Sequence, residues 1–130
     1  MSNINILIVD DEPYLTQALT FVLSREGYEV TTAADGEEAL QKIAENKPTV
    51  MFLDIMMPKK NGYEVCEIVK KIPELKDIYI IMLSAKGWDT DKDKGVSLGA
   101  DDFITKPYSP RDIVSGLKKA IEHLSLVTSG

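Results

Sequence analysis

Charged and hydroxyl-bearing side chains follow four apolar runs of the chain, each at the point where the run ends. Asp10 and Asp11 follow the first run, and Asp54, Ser84 and Lys106 follow three later ones. Three carboxylates held close together repel one another, which raises their pKa values unless a cation neutralises them. Because an open cluster of oxygen ligands that keeps some waters suits Mg²⁺, these residues predict a magnesium site.

Lys106 and Ser84 add the groups that phosphoryl transfer requires. An ammonium group and a hydroxyl, facing a metal ion across a carboxylate, can hold the equatorial oxygens of a phosphoryl group and neutralise its charge. Carboxylates are known nucleophiles in the formation of aspartyl phosphates. We therefore expect Asp54 to be a phosphorylated nucleophile, with Lys106 and Ser84 as catalytic residues beside it.

The apolar run before Asp54 organises the rest of the chain. Residues 50–53 read Val-Met-Phe-Leu, which predicts a strand buried on both faces. Similar runs predict four further strands, over 4–9, 28–34, 78–83 and 102–105. Apolar residues at helical spacing follow each strand, so we predict an α/β fold with five helices around a doubly wound, five-stranded parallel sheet. The carboxyl ends of such strands meet at one edge, where ligands bind.

Local signals predict some of the boundaries within this single domain. Asp35 with Glu38 forms a capping pair before the second helix. The segment 87–95 contains two glycines and few apolar residues, so the fourth helix is predicted to be the least stable and to be mobile. We expect the domain to cover residues 1–125 and residues 126–130 to form a frayed tail.

Composition excludes several classes of protein. The chain has 130 residues, of which 44% are hydrophobic and 28% charged, as in an ordinary globular domain. A net charge of -6 argues against direct nucleic-acid binding. The single cysteine, Cys66, excludes an internal disulfide and fits a reducing compartment. No signal peptide or membrane-spanning apolar run is visible, so we expect a cytoplasmic protein without membrane contact.

Spaced motifs over nearly the full chain resemble the receiver domains of two-component response regulators. These motifs are the acidic pair, the segment Asp54 to Gly62 with Met57-Pro58, Ser84-Ala85, and Gly99-Ala100-Asp101-Asp102-Phe103 leading to Lys106-Pro107. The resemblance implies a flavodoxin-like fold with strand order 2-1-3-4-5. It also implies phosphoryl transfer to Asp54 from the phosphohistidine of a histidine kinase or a histidine phosphotransfer protein.

The resemblance further implies how the site is built. Mg²⁺ would be held by Asp11, Asp54 and the Met56 backbone carbonyl, with Asp10 acting mostly through water. The peptide bond between Lys106 and Pro107 is cis in the family, and an X-Pro bond permits that form at low cost. The protein would be a self-phosphorylating phosphoacceptor with intrinsic autodephosphorylation, rather than a turnover enzyme.

Receiver domains signal through a conformational switch. Phosphorylation draws the hydroxyl at the Ser84 position inward, and the ring at the Phe103 position follows. This movement changes the face formed by the fourth helix, the fifth strand and the fifth helix, which would control a downstream protein or output domain. Residues 99–113 resemble receivers attached to DNA-binding effectors, which dimerise through that face, so a phosphorylation-dependent homodimer is one expectation.

Two positions depart from common family patterns. Phe103 replaces a frequent tyrosine, so a switch that depends on a ring hydroxyl is not available. Met56 and Lys86 flank the route by which water would attack the acyl phosphate. Our hypothesis is that apolar Met56 cannot orient that water, which would make the phosphorylated form long-lived. Rapid loss of the phosphoryl group, unchanged in Met56→Asn, would count against it.

Several residues have simpler interpretations when taken singly. Asp11 could cap the first helix, Ser84 could be a turn residue and Lys106 a solvated charge. Cys66 is expected to pack as a small apolar side chain, and His123 to lie at the surface near a helix end. The simpler roles of Asp11, Ser84 and Lys106 are disfavoured when the three are considered together with Asp54, because all four stand at strand ends. Trp88 could either cover the fourth helix or anchor a partner.

Three other functions compete with a phosphorylated signalling module. Flavodoxin-like electron transfer would place the FMN phosphate beside Asp10 and Asp11, which would repel it. A phosphohydrolase of the haloacid dehalogenase type needs a second acid two residues after the nucleophile, where this chain has Met56. A receiver fold that works without phosphorylation is disfavoured by the full set of polar residues.

Overall fold

Five strands alternate with five helices along the chain. The computed structural model describes residues 4–57, 59–84 and 89–129. The elements are β1 (Asn5–Val9), α1 (Pro13–Arg25), β2 (Glu29–Ala33), α2 (Gly36–Glu45), β3 (Val50–Asp54), α3 (Gly62–Lys71), β4 (Tyr79–Ser84), α4 (Asp89–Leu98), β5 (Asp102–Thr105) and α5 (Pro110–Ser129). Each predicted strand is confirmed, with ends that differ by at most one residue. None of the described helices has both the length and the apolar character needed to cross a membrane.

The five strands form one parallel sheet in the order β2-β1-β3-β4-β5. The predicted doubly wound topology is therefore confirmed. All five residues of β3 are buried, as are all six of β4, because helices cover both faces of these strands. Asp54 at the end of β3 is in register with Leu83, and Ser84 is in register with Thr105. Their polar side chains consequently reach the same edge of the sheet.

Alternation along the strands divides the core into two layers. One layer lies against α2 and α3 and contains, from the three central strands, Leu7, Val9, Met51, Leu53, Ile80 and Met82. The other lies against α1 and α5 and contains Ile6, Ile8, Val50, Phe52, Tyr79, Ile81 and Leu83. Successive residues of a strand point to opposite faces, so a continuous apolar run is what a sheet covered on both sides requires. This packing holds the strand ends rigidly.

Side-chain caps fix where helices begin near the site. Asp35 accepts a hydrogen bond from the Glu38 backbone at 2.8 Å, and Glu38 accepts one from the Ala34 backbone at 2.7 Å, so the predicted cap is present. The α3 helix has a reciprocal cap that the sequence analysis missed: Asn61 accepts from the Glu64 backbone and Glu64 accepts from the Asn61 backbone, both at 3.0 Å. Such caps satisfy amide groups that have no partner within the helix.

The α5 helix extends beyond the predicted domain limit at residue 125. Its backbone is helical through Ser129, and the predicted fraying of residues 126–130 stays a prediction. No Gly or Pro interrupts the chain between Ser125 and Ser129, which explains why nothing stops the helix there. The fourth helix, predicted around residues 87–95, is present over Asp89–Leu98 and is followed by Gly99, whose φ of 105° lies in the left-handed region. Its mobility stays a prediction.

Candidate functional site

The carboxyl edge of the sheet brings together the polar residues predicted from the sequence. Asp10 directly follows β1, Asp54 and Ser84 are the last residues of β3 and β4, and Lys106 directly follows β5. Asp10 and Asp54 are each 2% exposed and Ser84 is 1% exposed, whereas Asp11 is exposed. The Lys106 backbone donates a hydrogen bond to the Ser84 carbonyl at 2.8 Å. The strand ends thus bring together a group of polar side chains that is buried at Asp10, Asp54 and Ser84 and open to solvent at Asp11.

The three carboxylates form one cluster. One oxygen from each of Asp10, Asp11 and Asp54 lies within 4.8 Å of the others. Asp54 Oδ1 accepts hydrogen bonds from Lys106 Nζ at 3.0 Å and from the Met56 backbone at 3.3 Å. Lys106 Nζ also lies 3.9 Å from Asp10 Oδ2, too far for a hydrogen bond. One ammonium group therefore faces two buried carboxylates, and it bonds directly to only one of them.

Burial disturbs the ionisation of both buried acids. Desolvation, with a smaller contribution from the Asp54 carboxylate, raises the pKa of Asp10 from 3.8 to about 6. Desolvation also raises the pKa of Asp54, although the hydrogen bond and charge of Lys106 oppose that rise. Both acids are held in an environment that disfavours their charged forms. A cation brought to the cluster would relieve this cost.

The residues fit a hard divalent cation. Asp10 Oδ1 accepts a hydrogen bond from the Glu12 backbone at 2.9 Å, but buried Asp10 Oδ2 has no hydrogen-bond partner among the described residues. The Asp11 side of the cluster is open to solvent, which suits an ion that keeps several waters. The donor set is made only of oxygens, as Mg²⁺ prefers. The orphaned Asp10 oxygen is the observation that argues for a cation.

Gly62 allows the loop after β3 to close against the strand. A methyl group on Gly62 would lie 2.5 Å from the Asp54 carbonyl oxygen, so only glycine permits this approach. The Gly62 backbone donates a hydrogen bond to the Ile55 carbonyl at 2.9 Å. The Met56 side chain, in the loop between them, is 74% exposed. The loop therefore packs closely against the Asp54 backbone, and the Met56 side chain, two residues after Asp54, is open to solvent.

Phe103 lies on β5 beside the α4 helix. Its ring is half-buried and packs against the core layer that contains Met82. The peptide bond between Lys106 and Pro107 is cis, as the resemblance implied. Lys86, Trp88 and Pro58 lie outside the described residues, so the predictions made for Lys86 and Trp88 stay predictions.

Two further residues have the simpler roles expected of them. Cys66 is fully buried on α3, where its Sγ lies 3.7 Å from the Leu98 carbonyl oxygen. Burial raises the pKa of the Cys66 thiol to about 11, which keeps it protonated and unreactive. His123 is exposed as predicted, with its ring 5.5 Å from that of Tyr79. It was predicted near a helix end, but α5 continues to Ser129, more than one turn beyond it. Neither residue contacts the acidic cluster.

Tyr108, which follows the Lys106-Pro107 pair, was not among the site residues predicted from the sequence. Its hydroxyl is buried without a hydrogen-bond partner among the described residues. Desolvation raises the pKa of the phenol far above its ordinary value, and the Asp10 and Asp54 carboxylates add to the effect. The phenol is therefore close enough to the acidic cluster to be influenced by its charge. An aromatic hydroxyl two residues after the predicted catalytic lysine was the signal available in the sequence.

Comparisons with known proteins agree with this geometry. The family model for the response regulator receiver domain matches residues 6–118. The alkaline phosphatase synthesis transcriptional regulatory protein PhoP of Bacillus subtilis is 47% identical over 117 residues, which are 89% of this chain and 48% of that protein. The chain thus spans about half the length of this curated relative.

Solved structures show the same fold. The chemotaxis protein CheY4 of Vibrio cholerae matches with a TM-score of 0.86 and 32% identity, covering 92% of this chain and 99% of that one. A CheY-like receiver domain protein from Methanospirillum hungatei matches with a TM-score of 0.89 and 30% identity, covering 99% and 100%. The chain belongs to the response regulator receiver domain family, and it is a receiver domain of the two-component type. Members of this family accept phosphoryl groups, bind Mg²⁺ at an acidic pocket and interact with histidine kinases and output domains.

Proposed function

We propose that Asp54 is the residue that accepts the phosphoryl group, from the phosphohistidine of a histidine kinase or a histidine phosphotransfer protein. The observation that carries the proposal is the placement of the Asp54 carboxylate: it is 2% exposed, 3.0 Å from Lys106 Nζ and clustered with two further carboxylates. A nucleophile on the end of a rigid strand needs little reorganisation when the donor arrives.

The reaction forms one bond and breaks one. A carboxylate oxygen of Asp54 attacks phosphorus, the bond between phosphorus and the histidine nitrogen breaks, and the electron pair returns to the imidazole. Lys106, which bonds to Asp54 before the reaction, then faces the oxygens of the new phosphoryl group and stabilises their charge. The hydroxyl of Ser84, on the neighbouring strand, donates to one of these oxygens. Lys106 and Ser84 are thus the catalytic residues beside the nucleophile.

A divalent cation completes this site. Asp11, Asp54 and the Met56 backbone carbonyl would hold Mg²⁺, with Asp10 acting through water. The bound ion supplies charge neutralisation for the incoming phosphoryl oxygens. The raised pKa values of Asp10 and Asp54 support this assignment, because a cation removes the repulsion that burial intensifies.

Phosphorylation would be read through α4, β5 and α5. The inward movement of the Ser84 hydroxyl leaves space that the Phe103 ring can follow, and ring burial alone must carry the signal because Phe103 has no hydroxyl. The face that changes would control a downstream protein or output domain, or form a phosphorylation-dependent homodimer. The relative from Bacillus subtilis is named as a transcriptional regulatory protein, which favours an output domain over a separate partner. We place this phosphoacceptor unit in residues 1–125 and in the cytoplasm.

The phosphorylated form would revert by intrinsic hydrolysis, without turnover of a free substrate. Met56 and Lys86 flank the route of the attacking water in this proposal. Because the Met56 side chain is exposed and apolar, it covers the route without orienting a water molecule.

Intact-mass measurement after incubation with Mg²⁺ and acetyl phosphate tests the proposal. We expect one phosphoryl adduct on the wild-type protein, dependent on Mg²⁺ and absent from Asp54→Ala. Asp77→Ala is a matched control, since Asp77 is an exposed aspartate paired with Lys47 at 2.7 Å and distant from the cluster. A folded wild-type protein that binds Mg²⁺ but gains no adduct would instead indicate a receiver that works without phosphorylation.

A further inference from the structure

Two buried side-chain oxygens in the described part of the chain have no hydrogen-bond partner, and they are Asp10 Oδ2 and Tyr108 Oη. Buried polar groups in folded proteins almost always bond to protein or to ordered water. An ionised carboxylate can only accept hydrogen bonds, whereas a phenol can donate one. The two groups are therefore complementary, and neither has a hydrogen-bond partner within the described ranges.

Both groups lie on the same face of the sheet. Successive side chains of a strand alternate, so Asp10 points to the face of Ile8, and the Tyr108 ring packs against the core layer that contains Ile8. Lys106, two residues before Tyr108, has its Nζ 3.9 Å from Asp10 Oδ2. Of the carboxylates that act electrostatically on the phenol, that of Asp10 has the largest effect, which agrees with this placement.

We infer that Tyr108 is a positioning residue for Asp10, and that its hydroxyl donates a hydrogen bond through buried water to Asp10 Oδ2. The other carboxylate oxygen, Oδ1, is already held by the Glu12 backbone at 2.9 Å. Together the two bonds fix the plane of the Asp10 carboxylate before a metal ion arrives. Lys106 does not provide this restraint, because its ammonium group bonds to Asp54 instead.

The competing explanation is that Tyr108 is only a core aromatic residue whose hydroxyl is tolerated. The two explanations predict different effects of Tyr108→Phe, which removes one oxygen and leaves the ring. A tolerated hydroxyl has no effect on Asp10, and its removal stabilises the fold because an unsatisfied buried group is lost. A hydroxyl that orients Asp10 affects the binding of a cation to the cluster, which a merely structural role would not change.

A crystal structure of the metal-free protein at high resolution gives the direct test. We expect a water molecule within about 3.2 Å of Tyr108 Oη, linked directly or through one further water to Asp10 Oδ2. This measurement does not depend on phosphorylation or on bound metal. Electron density that shows Tyr108 Oη without any water would overturn the inference.

Calorimetric titration with Mg²⁺ gives the functional test, and this part rests on the proposed function. We expect Tyr108→Phe to weaken the Mg²⁺ affinity about tenfold, the lower end of the effect of removing a hydrogen bond that supports a metal-binding residue. Tyr79→Phe is the matched control, since Tyr79 is 7% exposed and lies at the amino end of β4, at the opposite edge of the sheet. It should bind Mg²⁺ like the wild type.

The outcomes separate this inference from the proposed function. Wild-type affinity in Tyr108→Phe overturns the inference and leaves the proposed function intact. A wild-type protein that binds no Mg²⁺ contradicts the proposed function, and the metal-free crystal structure then decides the role of Tyr108 alone.

Discussion

Gly95 on α4 makes room for the ring of Phe103 on β5. A methyl group on Gly95 would lie 2.6 Å from Cε2 and 2.7 Å from Cζ of that ring, distances that side chains do not tolerate. The glycine that weakens α4 is thus also the residue that lets the proposed switch ring pack inward. Gly95 thus affects both the stability of α4 and the position of the Phe103 ring. Mutations can separate the two effects on the free energy of unfolding.

Gly95→Ala should lower the free energy of unfolding when residue 103 is phenylalanine and raise it when residue 103 is alanine. In the wild-type protein the added methyl displaces the Phe103 ring, which should lower the free energy of unfolding by about 1–2 kcal/mol. In a Phe103→Ala background the ring no longer obstructs residue 95. The better helix propensity of alanine at position 95 should then raise the free energy of unfolding by up to about 1 kcal/mol. Urea unfolding of the four proteins measures the coupling. An equal effect in both backgrounds would show that the ring does not occupy this position.

Lys70→Met should be strongly destabilising although the residue is a lysine on a surface helix. Lys70 Nζ donates hydrogen bonds to the carbonyls of Lys76 and Ile78 at 2.9 and 2.8 Å and to Asp101 Oδ2 at 2.9 Å. Its side chain is 15% exposed. Methionine removes the donor from both carbonyls and the cation from Asp101, which keeps only the hydrogen bond from the Ile80 backbone at 2.9 Å. We therefore expect a loss of about 2–4 kcal/mol in the free energy of unfolding.

The adjacent lysine provides the control for that prediction. Lys71 lies one residue along the same helix and pairs only with Glu67, at 3.0 Å, with a 72% exposed side chain. Exposed pairs of this kind contribute less than about 0.5 kcal/mol, so Lys71→Met should have little effect. Thermal or urea unfolding compares the two variants. Similar losses in both would mean that the Lys70 bonds are not formed in solution.

Without Mg²⁺, Asp10 should make the protein less stable as the pH rises. Its pKa is about 6 in the folded protein against an ordinary 3.8, so the folded state binds the proton more tightly than the unfolded state. The free energy of unfolding contributed by this group therefore falls between about pH 4 and pH 6, by at most about 3 kcal/mol. Asp54 acts in the same direction, because its pKa is also raised.

Asp10→Asn should remove the Asp10 part of this dependence. We expect the stability of the variant relative to the wild type to increase from pH 4 to pH 7 in the presence of a chelator, and the gain to shrink when Mg²⁺ is added. Urea unfolding at a series of pH values measures both effects. The Asp77→Asn variant is the control. The hydrogen bond from Lys47 lowers the pKa of Asp77, so the stability of this variant relative to the wild type should not increase with pH. A constant difference between Asp10→Asn and the wild type would contradict the prediction.

Met56→Asn should shorten the lifetime of the phosphorylated protein severalfold. The Met56 side chain is exposed beside the Asp54 loop, and an amide there can hydrogen-bond the water that attacks the acyl phosphate. Met56→Leu is the control, because it keeps an apolar side chain of similar volume and should retain the wild-type lifetime. Loss of the phosphoryl adduct can be followed by intact mass after the donor is removed. Equal lifetimes in all three proteins would show that position 56 does not control hydrolysis.

The sequence by itself determined the alternation of strands and helices, the parallel sheet and the location of the site, whereas the strand order was implied by the family resemblance. A continuous apolar run, such as the one ending at Asp54, predicts a strand covered on both faces, and β4 follows from the same pattern, whereas β5 is short and only partly buried. A helix connects each strand to the next, so the strands are expected to run parallel, and the carboxyl ends of parallel strands share one edge. Asp10, Asp54 and Lys106 were predicted to meet because each stands at such an end. These features depend on local periodicity and chirality, so they can be read without coordinates.

Only the tertiary structure decided which groups are buried, paired or left without a partner. The sequence does not distinguish Asp10 from Asp11, yet one is buried and the other exposed. The Asp10 backbone still bonds to the Ala33 carbonyl at the end of β2, whereas Asp11 lies in the turn that leads into α1. The same holds for Lys70 and Lys71, which differ only in the direction they face from α3. The contact between Gly95 and Phe103 joins α4 to β5, and the local sequence pattern of neither element predicts it. Burial and pairing depend on the packing of several elements at once, and for that reason a local pattern cannot predict them.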